Sequence, residues 1–193
     1  MRMKLGPYDA LIVVDVQRDF CPGGALAVPE GDRVVPVLNE YIALFQQREL
    51  PIIATRDWHP PDHVSFKEHG GIWPSHCVRD TEGAQFHPEL KLPDSTIVIS
   101  KATERDKEAY SGFEGTELER MLRDRNVRRV FVGGLATDYC VKSTVLDALN
   151  HRFTAFLLED AVRGVDVNPS DSDRAIDEML NAGAIIIALA EVQ

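Results

Sequence analysis

One cysteine lies where its thiol could act as a nucleophile. Cys140 follows a buried-type run at 129–132, the paired glycines Gly133 and Gly134, and a turn of small residues. Apolar residues then recur at helical spacing, which predicts strand, tight turn and helix, with Cys140 in the first helical turn. Unpaired N–H groups and the helix dipole there favour a thiolate and could hold a substrate oxyanion. A buried structural cysteine is the open alternative, because cysteine is among the commonest interior residues.

Two charged residues come at the ends of apolar strands. Asp15 follows the run 10–14, and Lys101 follows the run 96–100. The carboxyl ends of parallel strands meet at one rim of a sheet, where open α/β sheets bind their ligands. Alone, Asp15 could be a helix cap and Lys101 a solvated surface charge. With Cys140 on the same rim, they predict acyl transfer at a carbonyl, in which the carboxylate moves protons and the ammonium stabilises the anions.

A carboxylate and several imidazoles have the spacing of metal ligands. Asp57 and His59 point the same way in an extended chain, and His76 could complete an Asp–His–His set with open coordination positions. His63 is the rival third ligand, and scattered structural histidines are the alternative interpretation. Four of the six histidines are nevertheless concentrated near the Asp-x-His pair. We therefore predict a metal and substrate loop at 57–91, where periodicity is poor but aromatic and histidine content is high.

The elements that must position these side chains alternate between strands and helices. Strands are predicted at 10–14, 51–55, 96–100, 129–132, 153–158 and 184–189, and helices at 32–48, 116–126, after Cys140, and at 170–182. Asp32 is the predicted N-cap of the first helix, and Ser170 or Asp171 that of the last. Such alternation gives a parallel sheet with helices on both faces. No repeat or linker interrupts it, so we predict one α/β domain over 1–193.

Composition and charge limit the classes of partner. A net charge of −10 argues against nucleic acid or an anionic membrane as the main partner. The apolar run 10–14 is too short for a signal-peptide core, and no later run approaches a membrane span. Cys21, Cys77 and Cys140 are too scattered to suggest a disulfide framework. The sequence thus predicts a cytoplasmic protein with reduced thiols and a small-molecule substrate, and it leaves a homo-oligomer open.

Taken together, the motifs resemble a known family over nearly the whole chain. They are Asp15 after a buried strand, Asp57-Trp58-His59-Pro60, Trp73-Pro74-Ser75-His76-Cys77-Val78, Lys101 after a strand, and Gly134-Leu135-Ala136-Thr137-Asp138-Tyr139-Cys140-Val141. In this order, from about 10 to 190, they are similar to the nicotinamidases, the pyrazinamidase/nicotinamidase branch of the isochorismatase-like cysteine hydrolases. Each motif is moderately specific, and the set is highly specific.

The resemblance implies a fold and a catalytic triad. The fold would be Rossmann-like, with three α/β/α layers and a six-stranded parallel sheet. Cys140 would be the nucleophile, Asp15 the acid and base, and Lys101 the third member of the triad. The backbone N–H groups of Ala136 and Cys140 would form the oxyanion hole, and the peptide bond before Ala136 would be cis.

The resemblance also implies a metal and a ring-binding pocket. A divalent ion, most often zinc and otherwise iron or manganese, would bind the pyridine nitrogen and aim the carboxamide at the thiolate. Its ligands would be Asp57, His59 and His76. The residues that line or sandwich the ring would be Phe20, Trp73 and Tyr110. The implied substrates are nicotinamide and its analogue pyrazinamide, and hydrolysis of nicotinamide through a thioester would give nicotinate and ammonia in NAD salvage.

Three other classes of protein stay open at this point. A related hydrolase would act on isochorismate, N-carbamoylsarcosine or a ureido compound, although metal-free relatives generally lack the Asp-x-His plus His set. A non-catalytic protein would use Asp57, His59, His76 and Cys77 as a closed structural zinc site. A redox-sensing thiol protein is disfavoured, because no resolving cysteine lies near Cys140 in the sequence.

Overall fold

A computed structural model describes residues 2–193 and contains one six-stranded sheet. The strands are β1 (Asp9–Val14), β2 (Ile52–Asp57), β3 (Ile97–Lys101), β4 (Arg129–Leu135), β5 (Thr154–Arg163) and β6 (Ile185–Ile187). They are ordered β3-β2-β1-β4-β5-β6, and each neighbouring pair is parallel. The predicted six-stranded parallel sheet is confirmed.

Four α-helices cover the two faces of this sheet. They are α1 (Val34–Gln47), α2 (Leu118–Asp124), α3 (Lys142–Asn150) and α4 (Asp171–Asn181). Leu11 and Val13 of β1 pack in one apolar cluster with α1, whereas Ile12 and Val14 pack in a second cluster with α2, α3 and α4. Because both faces of β1 are covered, its sequence is continuously apolar. Among residues 2–193, no helix is long and apolar enough to cross a membrane.

The start of α1 differs from the prediction. Asp32 was the expected N-cap, but it lies inside a 3₁₀ turn, Gly31–Arg33. Glu30 enters this turn in the left-handed region, with φ of 53°, and Arg33 precedes α1 without a side-chain capping bond. Ser170 likewise makes no side-chain capping bond at the start of α4. The Asp32 prediction was wrong because an additional turn intervenes before the helix.

The long segment between β2 and β3 contains little regular structure, as predicted. One 3₁₀ turn, Lys67–His69, is assigned within it, and single bridges join it to itself and to the start of the chain. Strand β5 continues five residues past the predicted end at 158. The polar pair Glu159 and Asp160 breaks the apolar run there, which concealed the continuation in the sequence.

The strand order places a binding crevice between β1 and β4. Successive crossovers run from β1 to β3 in one direction and from β4 to β6 in the other, so β1 and β4 flank the topological switch point. Gly134 allows β4 to approach β1 closely here. A Cβ at Gly134, whose φ is 126°, would lie 2.1 Å from the carbonyl oxygen of Val14. The paired glycines therefore bring the segment that carries Cys140 next to Asp15.

Candidate active site

Four neighbouring strands each supply one chemically active side chain at the same rim. Lys101 is the last residue of β3, Asp57 is the last of β2, and Asp15 directly follows β1. Cys140 lies five residues after the end of β4. All four side chains are buried. The predicted convergence of Asp15, Lys101 and Cys140 is thus present in the structure.

Lys101 lies at the centre of this cluster. Its Nζ is 2.5 Å from Asp57 Oδ1, 2.9 Å from Asp15 Oδ2 and 3.5 Å from Cys140 Sγ. It also donates to the Ala109 carbonyl at 3.3 Å. The side chain is fully buried, so these contacts replace the water that an ammonium would otherwise bind. One cation therefore contacts two carboxylates and the thiol.

The charges in the cluster depend on each other. Burial alone would lower the pKa of Lys101, but the carboxylates of Asp15 and Asp57 outweigh it and hold that pKa well above its usual value. Burial raises the pKa of Asp15, although Lys101 opposes the shift. Apart from the ion pair, Asp15 Oδ2 has no well-oriented hydrogen-bond donor among residues 2–193. This oxygen is available to accept a proton.

Lys101→Met is expected to lower the free energy of unfolding by about 3–5 kcal/mol, because it leaves two buried carboxylates without their cation. Chemical denaturation at neutral pH measures the change. Lys107→Met is the control, since the Lys107 ammonium pairs with Glu104 at the exposed surface and should add little stability. Equal losses in the two variants would contradict the central role of Lys101.

Cys140 lies in a π-helical turn rather than in the first turn of α3. The turn spans Thr137–Val141, and α3 begins at Lys142. Burial raises the pKa of the Cys140 thiol well above its usual value even though Lys101 acts to lower it. The sequence-based expectation of a stabilised thiolate is therefore wrong for this state, because burial was not visible in the motif. The thiol needs a base, and the Asp15 carboxylate and Cys140 Sγ lie within 4.8 Å of each other.

The backbone around Cys140 agrees with the implied oxyanion hole. The Leu135–Ala136 peptide bond is cis. The Ala136 carbonyl accepts hydrogen bonds from the N–H groups of Tyr139 and Val141, each at 3.1 Å, which fixes the turn. Ala136 and Cys140 line the same pocket. Their N–H groups are the candidate donors to a substrate oxygen.

Asp57, His59 and His76 can hold a metal ion together. One ligand atom from each residue lies within 4.8 Å of the other two. His59 Nδ1 is 3.0 Å from the His76 carbonyl, and His76 Nδ1 is 2.7 Å from the Pro74 carbonyl. A carbonyl can only accept, so each Nδ1 carries the proton and each Nε2 keeps its lone pair. A set of two imidazoles and a carboxylate suits zinc, iron or manganese.

The hydrogen-bond partners of the histidines favour His76 over His63 as the third ligand. Burial is the main cause that lowers the pKa of His59 to about 3, and the neighbouring His76 lowers it further. The imidazole of His59 is therefore neutral, as a metal ligand must be. His63 also lies close to His59, but its Nδ1 contacts Ser65 Oγ at 2.7 Å and its Nε2 contacts the Lys107 carbonyl at 3.0 Å. Neither ring nitrogen of His63 is free, which indicates a supporting role.

An aromatic pocket lies beside the cluster. The predicted residues Phe20, Trp73 and Tyr110 all line it, together with Tyr139, which the sequence analysis did not single out. Trp73 Nε1 donates to the Tyr110 hydroxyl at 3.0 Å, and the Trp73 and Tyr139 rings meet edge to face at 5.1 Å. The Phe20 ring lies 5.5 Å from that of His76. The pocket is therefore suited to a small flat ring next to the candidate metal ligands.

Two further polar residues that the sequence analysis missed support the cluster. The Thr55 hydroxyl donates to Asp15 Oδ1 at 2.7 Å. Gln17 Oε1 accepts from the Asp57 N–H, and Gln17 Nε2 donates to the Asp57 carbonyl, both at 2.8 Å. Gln17 follows Asp15 by two residues, and Thr55 precedes Asp57 by two. Alternation along β2 offered a weak signal for Thr55, whereas Asp15 has a φ of 49° and interrupts the extended chain before Gln17.

The fold and the site together define a class of protein: a parallel α/β protein with a candidate Cys–Asp–Lys site beside an Asp–His–His set. The chain belongs to the isochorismatase family, because the isochorismatase domain matches residues 9–191. It is 43% identical to the nicotinamidase of Escherichia coli (strain K12), with 96% of this chain and 97% of that relative aligned.

Two solved structures show the same architecture. The pyrazinamidase of Pyrococcus horikoshii in complex with zinc is 56% identical, with a TM-score of 0.91 over 95% of this chain and all of that one. PnC1 from L. infantum in complex with nicotinate is 33% identical, with a TM-score of 0.92 over 100% of this chain and 99% of that one. The resemblance to the nicotinamidase branch is thus confirmed.

Proposed function

We propose that the protein is a nicotinamidase, which hydrolyses nicotinamide to nicotinate and ammonia. The observation that carries the proposal is the buried contact of Lys101 with Asp15 and Cys140, beside the Asp–His–His set and the aromatic pocket. The family relatives named as nicotinamidases and the relative in complex with nicotinate support the choice of substrate. Pyrazinamide is proposed as a second substrate, since another relative is a pyrazinamidase.

In the first half of the proposed reaction, the carboxylate of Asp15 takes the proton of the Cys140 thiol. The thiolate sulfur bonds to the carboxamide carbon, and the N–H groups of Ala136 and Cys140 donate hydrogen bonds to the oxygen as negative charge develops on it. The carbon–nitrogen bond then breaks, and Asp15 gives its proton to the departing ammonia. The Lys101 ammonium stabilises the thiolate and the carboxylate while the proton moves.

In the second half, water hydrolyses the thioester. Asp15 takes a proton from the water molecule, whose oxygen bonds to the acyl carbon. The carbon–sulfur bond breaks, and the proton returns to Cys140 as the carboxylic acid forms. The carboxylic acid then gives its proton to ammonia, so the sum is one nicotinamide and one water consumed, with one nicotinate and one ammonium ion released and Cys140 regenerated.

A divalent metal, proposed to be zinc, would be held by Asp57, His59 and His76. When bound, the ion supplies a Lewis acid for the ring nitrogen of a pyridine. The pocket walls do the remaining positioning of the ring, and they are formed by Phe20, Trp73, Tyr110 and Tyr139. These side chains also exclude water from the face of the ring, which favours a neutral aromatic amide over a charged aliphatic one.

His76→Ala is expected to weaken zinc binding by at least about 100-fold, because it removes one of three protein ligands. Isothermal titration calorimetry, with zinc added to the metal-free protein, measures the affinity for zinc without reference to activity. His69→Ala is the control, since His69 is exposed and lies outside the ligand set. Zinc affinity that is unchanged in His76→Ala would refute the proposed ligand set.

We further propose that the chain forms one domain and acts in the cytoplasm. The proposed reaction would be one step of NAD salvage. The isochorismatase domain covers almost the whole chain, and Cys21, Cys77 and Cys140 are all free thiols. A reducing compartment would protect a nucleophilic thiol from oxidation. Nicotinate, the proposed product, is a precursor for the synthesis of pyridine nucleotides.

The direct test of this function is ammonia release from nicotinamide by the purified protein, before and after treatment with a chelator. We expect activity that falls when the metal is removed and returns when zinc is added back. Activity that withstands stringent metal removal would overturn the metal's role. The absence of ammonia with metal restored would overturn the proposed substrate, and N-carbamoylsarcosine would then be tested next.

A further inference from the structure

Asp138 has a side chain that the proposed reaction does not use. It lies two residues before Cys140 in the same π-helical turn, and it is 8% exposed. Its Oδ1 accepts the N–H of Val165 at 2.9 Å, and its Oδ2 accepts the N–H of Asp166 at 2.8 Å. Both oxygens of one buried carboxylate are thus bonded to successive backbone N–H groups of the loop between β5 and α4. Hydrogen bonds to an ionised acceptor are stronger than neutral ones.

The loop passes through a narrow space between this turn and α4. A Cβ at Gly164 would lie 1.7 Å from Ser172 Oγ and 3.2 Å from Asp138 Oδ1, so the backbone is close to both. On the other side, the Asp166 carboxylate accepts the Ser172 N–H at 2.8 Å and the Ser172 hydroxyl at 2.9 Å. The loop is therefore fixed from two sides, by Asp138 on the nucleophile turn and by Ser172 on α4.

The residue that Asp138 holds by its backbone also forms part of the pocket. Val165 lines the pocket along with Ala136 and Cys140. It contributes only methyl groups, so it can contact a ring but cannot take part in proton transfer. The distance between the Val165 wall and the nucleophile turn is set by the Asp138 carboxylate, because that carboxylate bonds the Val165 N–H directly.

We propose that Asp138 is a positioning residue that determines how tightly the pocket binds the substrate ring, acting through Val165. The inference rests on the proposed hydrolysis of nicotinamide, which it deepens by assigning a residue to ring binding. Asp138 does not touch the reacting atoms in this account. It holds the pocket wall at a fixed distance from Cys140.

Asp138→Asn is the first test. The amide keeps the shape of the side chain but turns an NH₂ group toward one of the two N–H donors, so one hydrogen bond is lost. We expect KM for nicotinamide to rise by about tenfold and kcat to stay within about twofold, since Val165 contributes to binding and not to the chemical step. A fall in kcat with KM unchanged would overturn the proposal.

Val165→Ala tests whether Asp138 acts through Val165. Alone, it should raise KM by a similar factor. In the Val165→Ala background, Asp138→Asn should raise KM by less than about twofold, because the side chain that Asp138 positions is already removed. Independent, additive effects of the two substitutions would refute the mechanism. Because Val165→Ala keeps the carboxylate, an unchanged KM in this variant refutes the proposal even if Asp138→Asn fails to fold.

Ser172→Ala is the matched control. It removes the hydroxyl that holds the same loop from the α4 side, while both Asp138 bonds and the Ser172 N–H remain. We expect KM within about twofold of the wild-type value. A KM rise in Ser172→Ala as large as that in Asp138→Asn would mean that any loosening of the loop has the same effect, and it would overturn a specific role for Asp138.

Amide hydrogen exchange separates failure of this inference from failure of the proposed function. The amides of Val165 and Asp166 should exchange faster in Asp138→Asn than in the wild type, with no substrate present. Unchanged exchange would overturn the proposed positioning role even in an active nicotinamidase. If the wild type releases no ammonia from nicotinamide, the proposed function fails, whereas faster exchange would still support the structural link between Asp138 and the loop.

Discussion

Cys140→Ala is expected to lower the rate of nicotinamide hydrolysis by at least about 10⁴-fold, since Cys140 carries the only thiol among the residues that line the pocket. The remaining cluster should persist, because Lys101 still contacts Asp15 and Asp57. Metal content should equal that of the wild type, because Cys140 is not part of the proposed ligand set of Asp57, His59 and His76. Ammonia release and metal analysis on the same preparation measure both quantities.

Cys21→Ala is the matched control for this prediction. Cys21 is also a buried free cysteine, but it does not line the aromatic pocket, and burial raises the pKa of its thiol to about 11. Its removal should leave the rate within a few-fold of the wild type. Continued ammonia release by Cys140→Ala, at a rate comparable to that of Cys21→Ala, would exclude Cys140 as the nucleophile.

Asp15→Asn is expected to lower the rate by about 10³-fold or more, because an amide cannot take the thiol proton or return it to ammonia. The need for a base is strong here, since burial raises the pKa of the Cys140 thiol well above its usual value. Asparagine keeps an oxygen that can accept from the Thr55 hydroxyl, so the fold should persist. Steady-state ammonia release at neutral pH measures the loss.

Thr55→Val separates the proton-transfer role of Asp15 from its placement. This change removes the hydroxyl that donates to Asp15 Oδ1 but leaves the carboxylate and its contact with Lys101. We expect the rate of nicotinamide hydrolysis to fall by about tenfold, because one hydrogen bond that orients the base is removed. A loss in Thr55→Val equal to that in Asp15→Asn would indicate that position alone matters and would refute the role of Asp15 as the base.

The convergence of the site could be predicted because its residues lie at strand ends. Asp15, Asp57 and Lys101 each end or directly follow an apolar run, and parallel topology brings such ends to one rim. The prediction that Cys140 joins them also depended on the paired glycines and the turn of small residues that precede it. The strand runs and their alternation with helices along the chain can be read from the sequence. The parallel α/β fold and the shared rim were therefore predictable without any contact information.

Features that depend on burial or on distant contacts could not be predicted. The raised pKa of the Cys140 thiol comes from burial, which the motif does not reveal. The sequence put His76 ahead of His63 as the third ligand, but it could not show the structural reason, which is that both ring nitrogens of His63 are already bonded, to Ser65 Oγ and to the distant Lys107 carbonyl. The Asp138 link to Val165 joins residues 27 positions apart through backbone N–H groups, which carry no side-chain signature.

In the proposed reaction a nicotinoyl group becomes bonded to Cys140 during turnover, and hydroxylamine partitioning tests this bond most directly. A thioester reacts with hydroxylamine as well as with water, so turnover of nicotinamide in its presence should yield nicotinohydroxamate. Hydroxamate should increase with hydroxylamine concentration, and hydroxamate plus nicotinate should equal the ammonia released in excess of the hydroxylamine blank. Nicotinate as the only acyl product at every hydroxylamine concentration, with ammonia still released, would contradict the covalent route through Cys140.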